Sequence, residues 1–104
     1  MQQDRLPVAD ELKRHAAEAA ALLKELANPS RLLILCHLID GEKSVGELGR
    51  AIDLSQSAVS QHLARLREAR LVDTEKRGQM VHYRLCNMEA QALLSTLYLI
   101  YCKR

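Results

Sequence analysis

Ser44-Val45-Gly46-Glu47-Leu48-Gly49-Arg50-Ala51-Ile52-Asp53-Leu54-Ser55-Gln56-Ser57-Ala58-Val59-Ser60-Gln61-His62-Leu63-Ala64-Arg65-Leu66-Arg67-Glu68 holds two helix starts in close succession. Ser44 and Glu47 have the Ser-x-x-Glu spacing of a capping box. In that arrangement the serine hydroxyl accepts from a backbone N–H, and the glutamate carboxylate accepts from the N–H of the capping residue. A short helix is predicted from there to about Asp53, and Ser55 caps another that reaches about Glu68. Two short helices joined by a tight turn form the helix-turn-helix pattern. On a wheel of the second helix, Val59, Leu63 and Leu66 fall together, while Ser57, Gln61, Ala64 and Glu68 point the other way. Ser60 and Arg65 lie on the flanks of that second face, where they too are expected to contact DNA, and Gln56 occupies the first turn. A helix entering the major groove presents its N-terminal end to base edges. There glutamine pairs bidentately with adenine, and serine bonds to several bases or to phosphate. The plain alternative is a polar face that is simply solvated, and the surrounding elements argue against it.

Upstream, Asn28-Pro29 supplies an N-cap and a proline at the first helical position, which predicts a helix over 29–39. Before it, Leu12, Ala16, Ala19, Leu23 and Leu26 recur at steps of three and four, predicting one helix from Glu11 with an alanine-rich stripe. Residues 1–10 carry Pro7 and no period and are expected to form a flexible arm, leaving 11–104 as one domain. Downstream of Arg70 the period shifts to two over Leu71–Lys76 and again over Met80–Cys86. Gly78 stands in the turn between them, so a β-hairpin wing is predicted. Arg77, near its tip, is expected to reach a flanking phosphate or the minor groove. Asn87 can cap a last helix through Leu93, Leu94, Leu97, Tyr98, Ile100 and Tyr101. That helix is apolar on more than one side, enough to serve its own core and a second subunit. The expected fold class is mainly α with a β-hairpin wing, in the order ααααββα, dimerising through the first and last helices.

Composition narrows the functions. The 104 residues suffice for one small domain whose thin core would gain from a partner. Hydrophobic residues at 48% and charged residues at 27% are those of a folded chain. Arg65, Arg67, Arg70, Lys76, Arg77 and Arg84 outnumber Glu68, Asp73 and Glu75 between Ser55 and Arg84 in a chain of net charge only +2, which suggests a face directed at phosphate. Three Tyr with no Phe or Trp disfavour binders that stack single-stranded bases, so duplex DNA is the expected partner. No leader-like apolar stretch is present, and the aliphatic run Leu32-Leu33-Ile34-Leu35 is too short to cross a bilayer, so the cytoplasm is expected and no membrane. Three cysteines without an export signal argue against a structural disulfide framework and leave their chemistry regulatory, metal-binding or absent.

Leu54 through Arg67, preceded by Leu26-Ala27-Asn28-Pro29-Ser30-Arg31-Leu32-Leu33 and Ser44-Val45-Gly46-Glu47-Leu48, closely resembles the ArsR/SmtB repressor family over about residues 20–102. The resemblance implies a homodimer, repression by binding an inverted-repeat operator, and release when an inducer is sensed. It also implies Gln56, Ser57, Ser60, Gln61 and His62 as DNA-contacting positions, although the wheel puts His62 beside the core.

Metal-sensing members carry cysteines in the helix that opens the helix-turn-helix, or acidic and histidine ligands in the last helix. Here the former positions read Ser44, Gly46 and Gly49, and no histidine follows Asn87. A zinc or arsenic-type site needs several soft or imidazole ligands at defined spacing, so no metal or other cofactor is expected. Leu35-Cys36-His37-Leu38 and Leu99-Ile100-Tyr101-Cys102 resemble the cysteine-bearing segments of the sulfide- and persulfide-responsive, BigR-like and HlyU-like branch. That resemblance implies Cys36 and Cys102 as a dithiol switch answering a persulfide or polysulfide. Read from the residues alone, Cys36 in an aliphatic run fits a core position and Cys102 an idle terminal thiol. Cys86 matches no sensing position. Two alternatives stand beside this reading, a metal-responsive repressor and a small thiol oxidoreductase or persulfide carrier. The second lacks a Cys-x-x-Cys, a phosphate-cradling loop or a cleft-forming sheet, so an enzyme is not expected.

Overall fold

A computed structural model of the chain describes residues 8–102. The elements run α1 (Val8–Lys13), α2 (Ala16–Leu26), α3 (Pro29–Ile39), β1 (Lys43–Ser44), α4 (Val45–Ile52), α5 (Gln56–Glu68), β2 (Val72–Arg77), β3 (Met80–Leu85) and α6 (Met88–Tyr101).

The helix starts follow the capping residues. Asn28 Oδ1 accepts from the Arg31 N–H at 3.0 Å, with Pro29 opening α3. Ser44 Oγ accepts from the Glu47 N–H at 3.2 Å, and Glu47 Oε1 accepts from the Ser44 N–H at 2.8 Å, completing the capping box. Ser55 Oγ accepts from Ala58 N–H at 3.1 Å, and Asn87 Oδ1 accepts from Ala90 N–H at 2.8 Å. Each bond satisfies a donor that the first helical turn leaves open.

β2 and β3 pair antiparallel from Val72↔Leu85 to Arg77↔Met80. Gly78 closes the turn at φ 62, a conformation that a β-carbon disfavours. β1 adds to the other edge of β3 through Lys43↔Tyr83 and Ser44↔His82, giving the order β1-β3-β2. Two residues are too few to display alternation, so this strand leaves no periodic trace in the sequence.

The N-terminal helix departs from expectation. Instead of one helix from Glu11 there are two, separated at Arg14 and His15, and the first begins at Val8, inside the segment expected to be an arm. Asp10 and Glu11 sit in the first turn of α1, where acidic side chains complement the helix dipole. Arg14 and His15 are ordinary helix residues, so nothing local marks the break. α1 buries no residue, so no packing enforces continuity with α2. The rest of the expected arm, residues 1–7, lies outside the described residues.

The core joins Ile34, Leu35 and Leu38 of α3, Leu48 of α4, Val59, Leu63 and Leu66 of α5, Leu71 and Val72 at the root of the wing, and Ala90 and Leu94 of α6. From α2, Leu26 is buried and Leu22 packs against the cluster. Of the expected stripe, Leu26 alone enters this core, while Leu12 and Leu23 are 51% and 54% exposed. Beyond Leu94, α6 runs out of the core, and Tyr98, Leu99, Ile100 and Tyr101 are all exposed. The radius of gyration is 16.2 Å, against about 13 Å for a tightly packed chain of this length. Elongation and exposed apolar helix faces have the same origin, because α1 and the end of α6 project with nothing of their own to pack on.

Candidate nucleic-acid interface and thiol pair

The turn between α4 and α5 is set by Gly49 and Asp53. Asp53 ends α4 in the left-handed region at φ 59, and Leu54 N–H returns to Gly49 O at 3.0 Å. A β-carbon on Gly49 would stand 2.9 Å from Leu54 O, so the close return of the chain needs glycine there. This turn fixes α5 against the core through Val59, Leu63 and Leu66, each 0% exposed. It leaves Gln56, Ser57, Ser60 and Gln61 exposed together on the opposite side. The structure thus assembles four of the expected base- and phosphate-contacting residues on one surface. His62 is half-buried. Burial pushes its pKa down, and the neighbouring Arg31 and Arg65 guanidinium groups push it further, so protonation of this imidazole at the edge of the core is disfavoured.

The expected cationic contacts are differently placed. Arg65 Nε donates to Glu25 Oε1 at 2.8 Å, tying α5 to the last turn of α2. Glu25 is shared with Arg31, whose Nε lies 3.5 Å from Oε1. The buried Arg31 also donates to the Glu25 and Lys24 carbonyls, satisfying the open C-terminal end of α2. Arg77 Nη2 donates to Glu42 Oε2 at 3.1 Å. The other oxygen, Oε1, is 3.0 Å from the same nitrogen but off its N–H direction, and it is left buried without a hydrogen bond. Arg84 is held by Glu75 at 3.0 Å and Asp73 at 3.5 Å. Much of the positive charge counted in the sequence is therefore met by carboxylates. Glu25 and Glu42 pair across 40 and 35 residues of chain, beyond the reach of any local pattern.

The thiols lie elsewhere, where α3 meets α6. All three cysteines are free and exposed. The core position that the aliphatic run around Cys36 suggests is therefore not the one it takes. Cys102 caps the C-terminus of α6, its N–H bonded to Tyr98 O at 2.8 Å, so its backbone is ordered by the helix. Burial pushes the Cys36 thiol pKa up, and the negative charge of a nearby Cys102 thiolate pushes it further. Two residues far apart in sequence are thus brought within electrostatic reach. Cys86 stands apart from them, with its thiol 3.9 Å from Arg70 O and its pKa raised by burial and by Asp73. Among the described residues no group of three or more His, Cys, Asp or Glu is placed to hold a metal ion. No described helix is long and apolar enough to cross a membrane.

Residues 28–74 match the family described as bacterial regulatory protein, arsR family. The chain is 50% identical over 93 residues to the transcriptional activator HlyU of Vibrio cholerae, covering 89% of this chain and 86% of that one. Its structure is similar to that of the transcriptional repressor BigR from Xylella fastidiosa, with a TM-score of 0.87 at 40% identity over 92% of this chain and 98% of that one. It is also similar to reduced HlyU from Vibrio cholerae, with a TM-score of 0.83 at 50% identity over 88% and 97% of the two chains.

Proposed function

The chain belongs to the ArsR family of bacterial regulatory proteins, DNA-binding winged helix-turn-helix regulators of transcription, and from that premise we propose that it is a homodimeric repressor switched by persulfide chemistry at Cys36 and Cys102. Gln56, Ser57, Ser60 and Gln61 read base edges and phosphates of an inverted-repeat operator in duplex DNA. One observation supports the switch, the placement of two exposed free thiols on helices that pack together, Cys36 on α3 and Cys102 at the C-terminal cap of α6.

The chemistry needs only the inducer. The Cys102 thiolate attacks the terminal sulfur of an organic persulfide, takes that sulfur and releases the carrier as a thiolate. The Cys36 thiolate then attacks the inner sulfur of the Cys102 persulfide and displaces hydrosulfide, leaving a Cys36–Cys102 disulfide. If a dialkyl trisulfide is attacked at its central sulfur instead, one carrier thiolate leaves. When Cys36 then attacks that same central sulfur, the second carrier thiolate leaves and an extra sulfur remains in the bridge. A wider gap between the two residues favours the longer bridge, since a plain disulfide demands Cα atoms within about 7 Å. Either link ties α3, which packs beside the reading helix, to α6, whose exposed apolar end serves the dimer. Two reading helices that must meet half-sites about 34 Å apart tolerate little change in spacing.

Treatment with an organic persulfide or trisulfide followed by peptide mass mapping tests the reading. A cross-linked pair containing Cys36 and Cys102 of one subunit, reversible by a dithiol reductant, is the expected product. Separate capping of the two residues, or a bridge to Cys86, would contradict the proposed pair.

A further inference from the structure

We infer that Arg50 is a DNA phosphate contact that acts with Gln56 at the leading end of the reading helix, the two side chains meeting over Gly46. The inference rests on the DNA-reading surface described above and extends it to a helix, α4, to which no contact has been assigned.

Gly46 and Arg50 are four residues apart on α4 and so share a face. A β-carbon built on Gly46 would stand 3.4 Å from Arg50 Nη1 and 3.6 Å from Gln56 Nε2. Both polar ends therefore lie over the same patch of α4 backbone, one arriving along α4 and the other from the first turn of α5. The third neighbour of that point, Ser44 Oγ at 3.9 Å, is already used as the cap of α4. A guanidinium carries five N–H donors and no acceptor, and the amide nitrogen beside it adds two donors. Donors from two helices thus converge on an exposed surface, which is the chemistry a phosphate oxygen satisfies.

The contrast with three arginines of the basic segment sharpens the assignment. Arg65, Arg77 and Arg84 each have a carboxylate within 3.0 Å. No carboxylate among the described residues stands within ion-pair distance of the exposed Arg50. Binding a phosphate at Arg50 breaks no internal ion pair. The first helix of a helix-turn-helix crosses the DNA backbone while the second enters the groove, so α4 is the element that such a contact requires.

The test uses the reduced full chain and the duplex it selects from a randomised pool, with affinity measured across a salt series. Arg50→Gln is expected to lower affinity about tenfold, equally for all sequence variants of the duplex, and to reduce the slope of log affinity against log salt by about one per subunit. Arg50→Lys should keep most of the slope, and both variants should melt with the wild type. A salt slope in Arg50→Gln equal to that of the wild type would overturn the inference and leave the reading helix untouched. Failure of the wild type to select any duplex would overturn the DNA-reading surface itself and this contact with it.

Discussion

At the scale of single residues, burial divides α5 into a packing side and an exposed side, and the proposal that the exposed side reads DNA makes a sharp demand. Ser57 and Gln61 are exposed one helical turn apart, opposite Val59 and Leu63. Replacing either with Ala should cost about 1–3 kcal/mol on the selected operator and far less on unrelated duplex DNA. Competition binding checks this, and an equal loss on both DNAs would remove base reading from these positions. The sulfur chemistry makes a second demand. A raised pKa means that Cys36 is protonated to a higher pH than an ordinary thiol, so its alkylation should be slow at neutral pH and accelerate as pH climbs through the raised value. In Cys102→Ser the repulsive charge is gone while burial, the larger cause, remains. The Cys36 pKa should then fall part of the way back, and alkylation at a fixed, mildly alkaline pH should quicken. A slower or unchanged rate would separate the two thiols.

At the scale of elements, the close return of the chain after α4 depends on Gly49. Gly49→Ala drives a methyl group against the Leu54 carbonyl, a backbone atom in a turn already pinned by Leu54 N–H to Gly49 O. It should destabilise the fold by about 1–3 kcal/mol in chemical denaturation. Leu63→Ala, which empties a site of zero exposure in the core, should cost about 2–5 kcal/mol. Such elements were legible in the sequence wherever a short-range chemical rule places them. Asn28-Pro29, the Ser44 and Glu47 box, Ser55, Asn87 and Gly78 each act within a few residues, and every helix or turn they announce is present. The face of α5 was legible for the same reason, since Val59, Leu63 and Leu66 follow the helical period. The break between α1 and α2 was not, because Arg14 and His15 bear no breaking residue. Nor was β1, whose two residues become a strand only by pairing with β3. Arg65 and Arg77 read as free cations because their partners, Glu25 and Glu42, come from distant parts of the chain. The exposure of Cys36 was hidden within an aliphatic run, as only the packing of α3 decides which of its faces is covered.

At the scale of the whole molecule, the exposed apolar residues gather at the two ends of the chain, at Val8, Leu12 and Leu23 and at Tyr98, Leu99, Ile100 and Tyr101. Exposed apolar surface of this kind is costly to leave in water and is what the seam of the proposed dimer would cover. Leu99→Glu should weaken self-association by at least about tenfold in sedimentation equilibrium and abolish tight operator binding, while the core, which Leu99 does not enter, still unfolds cooperatively. An unchanged association constant would place the seam elsewhere. Because α6 is capped by Cys102 and packs on the α3 that carries Cys36, the proposed sulfur bridge would bear on the spacing of the proposed dimer without touching the exposed face of α5. The most direct test of that coupling is fluorescence anisotropy of the selected operator duplex, titrated with the protein before and after organic persulfide, in the wild type, Cys36→Ser and Cys102→Ser. Affinity should fall by about tenfold or more in the wild type, recover on reduction, and stay unchanged in both variants. A loss of equal size in both variants, or no loss in the wild type, would contradict a switch built on these two thiols.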